Sequence, residues 1–166
     1  MEHFRKPQPV GTTTQVAIAR HPLHPMLVTF PIAFLTGALA TDIAFLLLAD
    51  PFWARVSLWL LGMGALMGIA AGIAGTVELL SIAGIRRRAV GWSHFVAAVM
   101  LLSVGGINWY LRAVPGGAEH TVPLMGLYLS ALGAALVGIA GWLGGKLVFE
   151  HQVGIHDEEE APLEQP

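Results

Sequence analysis

The sequence predicts an all-α integral membrane protein, an up-down-up-down bundle of four helices. Of its 166 residues, 55% are apolar and only 12% are charged, which is about half the charge of an average soluble domain. Four apolar runs are each long enough to cross a hydrocarbon core about 30 Å thick at a helical rise of about 1.5 Å per residue. Because the runs are apolar around the whole helix, they leave no polar face for water, which argues against a soluble bundle.

The four runs and their connections predict how the chain is organised. The connections DPFWA, GIRRRA and AVPGGAEHT are short enough to make consecutive helices antiparallel. We expect one transmembrane domain over residues 21–152, between an irregular arm over residues 1–20 and a flexible acidic tail over residues 153–166. The spans are predicted over residues 25–48, 56–83, 90–111 and 122–149.

Lysine and arginine residues near the membrane ends predict the orientation, because these residues accumulate on the cytoplasmic side. Arg55 and Arg112 fall on one side of the predicted bundle. The side that holds both termini has the larger set, which is Arg5, Lys6, Arg20, Arg86, Arg87, Arg88 and Lys146. This excess predicts an inner-membrane protein with both termini in the cytoplasm. The first twenty residues contain no apolar stretch long enough for a cleavable signal, so we expect the first helix to remain as an anchor.

Composition and motifs exclude several function classes. The net charge of −2 gives no basic field for nucleic acid. With no cysteine, the chain cannot form iron–sulfur clusters, thiolate metal sites or covalently attached c-type haem, so any metal must be held by nitrogen and oxygen. The sequence has neither a Gly-x-Ser-x-Gly elbow nor a Gly-Lys-Ser/Thr phosphate loop, which favours an electron carrier over a hydrolase.

Polar residues inside the spans fall on helical stripes shared with small residues. Lipid offers no hydrogen-bond partners, so these stripes should face the interior of the bundle. The antiparallel order then gathers three histidines and one carboxylate at the cytoplasmic end, one from each helix, namely His24, Glu78, His94 and His151. Histidine nitrogen is the usual protein ligand for haem iron and for many transition metals. Each of these residues can instead make a structural contact, for example an ion pair between Glu78 and Arg86 to Arg88.

A second polar level is predicted toward the outer face. An isolated carboxylate at the depth of Asp42 is costly unless it is protonated or hydrogen-bonded. Asn108 is a candidate partner, and Arg112 lies one turn beyond it on the same stripe. These residues are predicted as structural polar groups, with a proton relay as the alternative.

Three segments resemble the bacterial family of integral membrane proteins called domain of unknown function 2231 (DUF2231). The segments are HPLHPMLVTFPIAFL at 21–35, DPFWAR at 50–55 and GGKLVFEHQVGI at 144–155. The resemblance implies four membrane helices, and it implies membrane redox chemistry by association, since some relatives are joined to Rieske-type or c-type cytochrome domains. Gln152 stands where the family tends to have glycine. The residues that carry over are His21, His24, Asp42, Glu78, His94 and His151.

Three functional hypotheses follow. The first is a haem b protein in which two of His24, His94 and His151 bind the iron and electrons pass to a redox partner protein near the cytoplasmic face. The second is a mononuclear metal site, in which these histidines and Glu78 bind a divalent transition metal. The third is a membrane scaffold without a cofactor. The chain is interpreted as one unrepeated four-helix unit, so a transport pathway would need at least a homodimer.

Overall fold

The computed structural model describes residues 16–18 and 21–153. Within these residues, four long apolar helices pack together, which confirms the predicted all-α membrane bundle. Most of the predicted N-terminal arm, and the acidic tail from residue 154 onward, lie outside the described residues. The strand β1 (Ala17–Ile18) pairs antiparallel with β2 (His21–Pro22) immediately before the first helix.

Six α-helices follow the two short strands. The helices that cross the bundle are long, and short helical segments occupy the turns between some of them. Their bounds are α1 Leu23–Leu48, α2 Pro51–Ser81, α3 Ala83–Arg86, α4 Ala89–Arg112, α5 Gly117–Thr121 and α6 Leu127–Phe149. A π-helical turn over Val122–Gly126 joins α5 to α6, so that Gly117–Phe149 forms the fourth span.

The connection between α1 and α2 is shorter than the sequence predicted. The chain reverses at Ala49, whose φ of 54° is left-handed, and α2 already begins at Pro51. The Asp50 carboxylate accepts a hydrogen bond of 2.9 Å from the backbone N–H of Phe52. An aspartate cap followed by proline in the first turn is a strong helix start, so the segment DPFWA forms the first turn of α2 rather than a loop.

The last connection also contains more helix than predicted. Gly116 has a φ of 71°, a conformation that glycine adopts without strain, and α5 starts directly after it. Pro123 has no N–H to donate, and the chain passes it through the π-helical turn, in which the Leu127 N–H bonds to the Val122 carbonyl. The helix therefore continues into α6 instead of beginning afresh at residue 122.

The four long helices form a ring in which each packs against two others. Helix α1 packs against α2 and α6, and α4 packs against the same two helices. The core contains Leu35, Leu61, Leu101 and Leu136. Many large apolar side chains, such as Trp59, point outward, as expected for a surface in contact with lipid. The inward direction predicted for the polar stripes is confirmed, since the core faces bury Asp42, Glu78, Asn108 and Arg112.

Candidate functional site

Two polar layers cross the interior of the bundle, one near each end. The layer at the end that holds the start of α1 contains His24 and His94, and we call it the histidine pair. Their ring centroids are 6.0 Å apart and their planes meet at 88°. The structure therefore brings two of the predicted ligand residues together from helices α1 and α4.

His24 is held in place by helix α2. Its Nδ1 lies 2.8 Å from the backbone oxygen of Ala71. A carbonyl oxygen only accepts hydrogen bonds, so Nδ1 carries the proton and donates it. In the neutral ring, Nε2 is then the nitrogen with the free lone pair. The ring lies against Gly75, where a Cβ atom would stand only 2.8 Å from Nδ1 and Cε1.

His94 repeats this arrangement against helix α6. Its Nδ1 lies 2.9 Å from the backbone oxygen of Ala140, and the ring lies over Gly144, where a Cβ would stand 3.2 Å from Cε1. The same argument places the proton on Nδ1 and the lone pair on Nε2. Both rings thus have the tautomer that histidine ligands usually have when a carbonyl accepts from the other nitrogen.

The pair provides two imidazole nitrogens as potential metal ligands. A histidine nitrogen binds a metal such as zinc at about 2.0–2.1 Å. Two such bonds in line, together with the distance from each nitrogen to its ring centroid, set the largest centroid separation that one shared metal allows, and the observed 6.0 Å lies within that limit.

His151 has a different partner. Its Nδ1 lies 2.7 Å from Nη1 of Arg88, and because a guanidinium only donates, Nδ1 accepts in this bond. The proton of the His151 ring is therefore on Nε2, whereas the two rings of the histidine pair carry theirs on Nδ1. Glu78 is buried on α2. Among the described residues, no three histidine, aspartate or glutamate side chains lie close enough to hold a metal together. Of the four predicted cofactor residues, the structure brings His24 and His94 into one pair.

The second polar layer is centred on a buried ion pair between Asp42 and Arg112. Nη1 and Nη2 of Arg112 donate to Oδ1 and Oδ2 of Asp42 at 2.5 and 2.8 Å. Both side chains are 0% exposed. Asn108 reaches the pair from one turn earlier on α4, where its Oδ1 accepts from Nε of Arg112 at 2.9 Å. The predicted contact between Asp42 and Asn108 is thus made through the arginine.

Two serines complete this network, and sequence reasoning did not select them as partners. Ser57 of α2 donates to Asp42 at 2.5 Å, and Ser130 of α6 donates to the other carboxylate oxygen at 2.6 Å. The sequence contained a signal for both serines, because each lies on the small-residue stripe of its helix. Gly64 lies two turns after Ser57, and Gly133 lies one turn after Ser130. A buried carboxylate needs neutral donors on the facing helices, and these stripes offered them.

The network neutralises its own charge and uses the polar atoms of all four long helices. Each oxygen of Asp42 accepts from the guanidinium and from a serine hydroxyl. Asn108 donates in turn to Ser130 at 2.9 Å. Within the described chain, no buried side-chain nitrogen or oxygen lacks a hydrogen-bond partner. These bonds join the four helices at one point near the end of the bundle that holds the α1–α2 connection, which suits a structural role for this layer.

One family model matches the chain, over residues 20–157, and it is described as a predicted membrane protein, DUF2231. The match covers most of the chain and includes both polar layers. No curated protein and no solved structure matched. The family resemblance expected from the sequence is therefore confirmed.

Proposed function

The chain belongs to the DUF2231 family of membrane proteins, and we propose that it is a haem b protein that transfers electrons within the membrane. In this proposal His24 and His94 would be the residues that hold the haem iron. The outer layer around Asp42 and Arg112 holds the helix bundle together and takes no part in the chemistry.

One observation supports the proposal above all others. Each imidazole of the histidine pair donates from Nδ1 to a backbone carbonyl of the neighbouring helix, at 2.8 Å for His24 and 2.9 Å for His94. Both Nε2 atoms are left with a lone pair, and the ring centroids are 6.0 Å apart.

The chain's own groups set the properties of such a site. The carbonyls of Ala71 and Ala140 accept hydrogen bonds from the Nδ1 protons and so fix the direction of the two rings. Bound haem would supply reversible one-electron redox chemistry at the iron. An iron held by both histidines would have no open position for oxygen, which suits electron transfer.

The location proposed for the site follows from the distribution of cations. We place both termini in the cytoplasm and the chain in the inner membrane, since Arg86, Arg87, Arg88 and Lys146 lie at the same end of the bundle as the histidine pair. Electrons then pass between the site and a redox partner protein at the cytoplasmic face.

Absorption spectroscopy of the full chain tests this function. The protein is produced with a supply of haem, purified in detergent and measured before and after reduction with dithionite. We expect a Soret band that shifts on reduction, and we expect His24→Ala and His94→Ala each to lose that low-spin spectrum. The matched control is His120→Ala, which removes an exposed histidine at the other end of the bundle and should leave the spectrum unchanged. Colourless protein after haem supply contradicts the proposal, as does an unchanged spectrum in both pair variants.

The angle between the rings provides a second and sharper readout. Bis-histidine ferric haem with nearly perpendicular imidazole planes gives a highly anisotropic low-spin electron paramagnetic resonance signal, whereas parallel planes give a rhombic one. The 88° angle between His24 and His94 predicts the highly anisotropic type. A rhombic signal would mean that other residues, or other ring orientations, bind the iron.

The same ring spacing supports a second candidate, a single transition metal ion without porphyrin. Such an ion would need further ligands, and among the described residues no third histidine, aspartate or glutamate, Glu78 included, lies close enough to supply one. Elemental analysis of the purified chain separates the two candidates. One bound metal per chain without a porphyrin spectrum favours the mononuclear site. The scaffold is favoured if the purified chain contains no metal. In that case, replacing His24, His94 and His151 should also leave both its thermal stability and the proteins that co-purify with it unchanged.

A further inference from the structure

The polar layers of the bundle repeat along the chain. Arg112 lies 70 positions after its partner Asp42, and His94 follows His24 by the same interval. His24 bonds to a carbonyl 47 positions later, and His94 bonds to a carbonyl 46 positions later. The helical hairpin α1–α2 and the hairpin α4–α6 therefore correspond at the two histidines, at the carbonyls that these contact and at the Asp42–Arg112 pair, with one residue fewer in the second hairpin.

The buried positions repeat with the polar ones. In the first helix of each hairpin, four buried residues correspond at the same interval, and the matched pairs are Pro31 and Leu101, Leu35 and Gly105, Ala38 and Asn108, and Asp42 and Arg112. In the second helix of each hairpin, five buried residues correspond, and the pairs are Leu61 and Ser130, Gly64 and Gly133, Gly68 and Val137, Ala71 and Ala140, and Glu78 and Leu147. Any two helices with one buried face can be aligned at several sequence offsets, because their buried residues recur with the helical period. The residue pairs of the two polar layers fix which of these offsets applies.

The packing of the helices has the same symmetry. Helix α1 packs on α2 as α4 packs on α6, and the two hairpins join through α2 with α4 and through α6 with α1. A two-fold rotation about the long axis of the bundle exchanges each of these contacts with its counterpart. The histidine pair and the Asp42–Arg112 pair both join equivalent positions of the two hairpins, so both lie on or near this axis.

We infer that the bundle is a two-fold repeat of one helical hairpin, and that Gly75 and Gly144 are equivalent positioning residues, each of which seats one histidine of the pair. This inference differs from the interpretation of the sequence as one unrepeated four-helix unit. The repeat depends only on the geometry of the bundle, whereas the importance of the two glycines for a bound haem rests on the proposed function.

Steric contact explains how the glycines act. A Cβ at Gly75 would lie 2.8 Å from Nδ1 and Cε1 of His24, closer than real Cβ contacts come, so the ring must move away from the Ala71 carbonyl. At Gly144 the corresponding contact with His94 is 3.2 Å, which a smaller movement relieves. Gly141, on the same helix as Gly144, has open space within 4 Å of an added Cβ among the described residues and serves as the control.

Imidazole nitrogen resonances test the inference without any cofactor. The full chain is labelled with ¹⁵N-histidine and studied in detergent micelles, and the signals are assigned with His24→Ala and His94→Ala. In the parent chain, we expect both rings of the pair to show a protonated Nδ1 and an unprotonated Nε2. Gly75→Ala should shift the His24 signals, Gly144→Ala should produce a smaller shift at His94, and each should leave the other ring nearly unchanged. Gly141→Ala should shift neither.

Two results would overturn the inference. Different tautomers at His24 and His94 in the parent chain would show that the two rings are not equivalent. Unshifted His24 signals in a folded Gly75→Ala chain would show that the glycine does not seat the ring. If Gly75→Ala does not fold, the milder Gly144→Ala gives the same test at His94.

Haem binding then separates the positioning role from the proposed function. We expect Gly75→Ala to weaken haem binding by about tenfold or more, the range typical for the loss of a partner that orients a metal ligand, while Gly141→Ala retains it. A parent chain that shows the expected tautomers and shifts but binds no haem refutes the function and leaves the repeat standing. A parent chain that binds haem, together with a Gly75→Ala chain that binds it equally well, refutes the positioning role alone.

Discussion

The buried pair of Asp42 and Arg112 allows a quantitative test of how the bundle is held together. The perturbation is a double-mutant cycle made of Asp42→Ala, Arg112→Ala and the double variant. Each single substitution leaves a charge inside the bundle without its counter-ion, whereas the double substitution removes both charges. The structure therefore predicts that the two substitutions are strongly non-additive.

The burial of the pair sets the expected magnitude. Asp42 is 0% exposed and Arg112 is 1% exposed, so neither charge can turn to water when its partner is lost. Removing one partner of a buried ion pair costs about 3–5 kcal/mol of unfolding free energy. The second substitution should cost much less, because the charge that it removes already lacks its counter-ion. We expect a coupling energy of about 3 kcal/mol, at the upper end of values for residues in one network.

The assay is unfolding by sodium dodecyl sulfate in mixed micelles, followed by far-ultraviolet circular dichroism. The control is the same cycle on Lys146 and Glu150, whose nitrogen and oxygen are 3.9 Å apart and whose side chains are 40% and 56% exposed. Exposed pairs of this type on one helix are worth about 0.3–0.5 kcal/mol. If the Asp42 and Arg112 substitutions add to within about 0.5 kcal/mol, the view of this pair as the electrostatic centre of the bundle is refuted.

Three further substitutions test neighbouring features by the same unfolding measurement. Ser57→Ala removes one hydrogen-bond donor from the buried carboxylate and should cost about 1–3 kcal/mol; an unchanged stability would mean that water replaces the hydroxyl. Gly126→Ala places a Cβ 2.7 Å from Nη2 of Arg112 and should cost about 1–3 kcal/mol of unfolding free energy. The control Gly138→Ala has open space around its added Cβ in the described structure, so it should be neutral or stabilising by up to about 1 kcal/mol. Equal effects at both glycines would contradict this reasoning. Asp50→Ala removes the cap of α2 and should cost about 1 kcal/mol, with Asp50→Asn expected to keep most of the stability; an equal loss in both would point to charge rather than capping.

The inward direction of the polar residues could be predicted from single helices. Asp42 shares a helical stripe with Leu35, and Asn108 shares one with Arg112, because a helix places residues three, four and seven positions apart on one face. Lipid excludes unpaired polar groups, so these faces had to meet one another. For the same reason, the end of the bundle at which His24 and His94 lie followed from the antiparallel order.

The partners of the polar groups could not be predicted in the same way. His24 and His94 form a pair, while His151 lies at the same end of the bundle and contacts Arg88 instead. In the sequence, all three histidines lie on stripes shared with small residues at the same end of the predicted bundle. The rotation of each helix about its axis separates them, and that rotation depends on which glycines allow close approach on the neighbouring helix.

Some helix boundaries could likewise be predicted from the local sequence, whereas others depend on contacts between helices. The start of α2 at Pro51 was determined locally by the aspartate cap and the proline, and a closer interpretation of DPFWA would have predicted it. The π-helical turn at Val122–Gly126 is different. Gly126 lies directly against the guanidinium of Arg112, and its carbonyl accepts from Asn108 at 3.3 Å. The position of this turn therefore involves contacts with another helix.

Hydropathy, segment length and helical period act within each segment, so the amino-acid sequence was enough to predict four antiparallel membrane helices with polar seams. The contact of Asp42 with Arg112 across 70 positions of chain, and the pairing of His24 with His94 in a matching tautomer, became visible only in the folded bundle. Those contacts depend on small rotations and translations of whole helices, and the energy differences between such arrangements come from the packing of all four helices together.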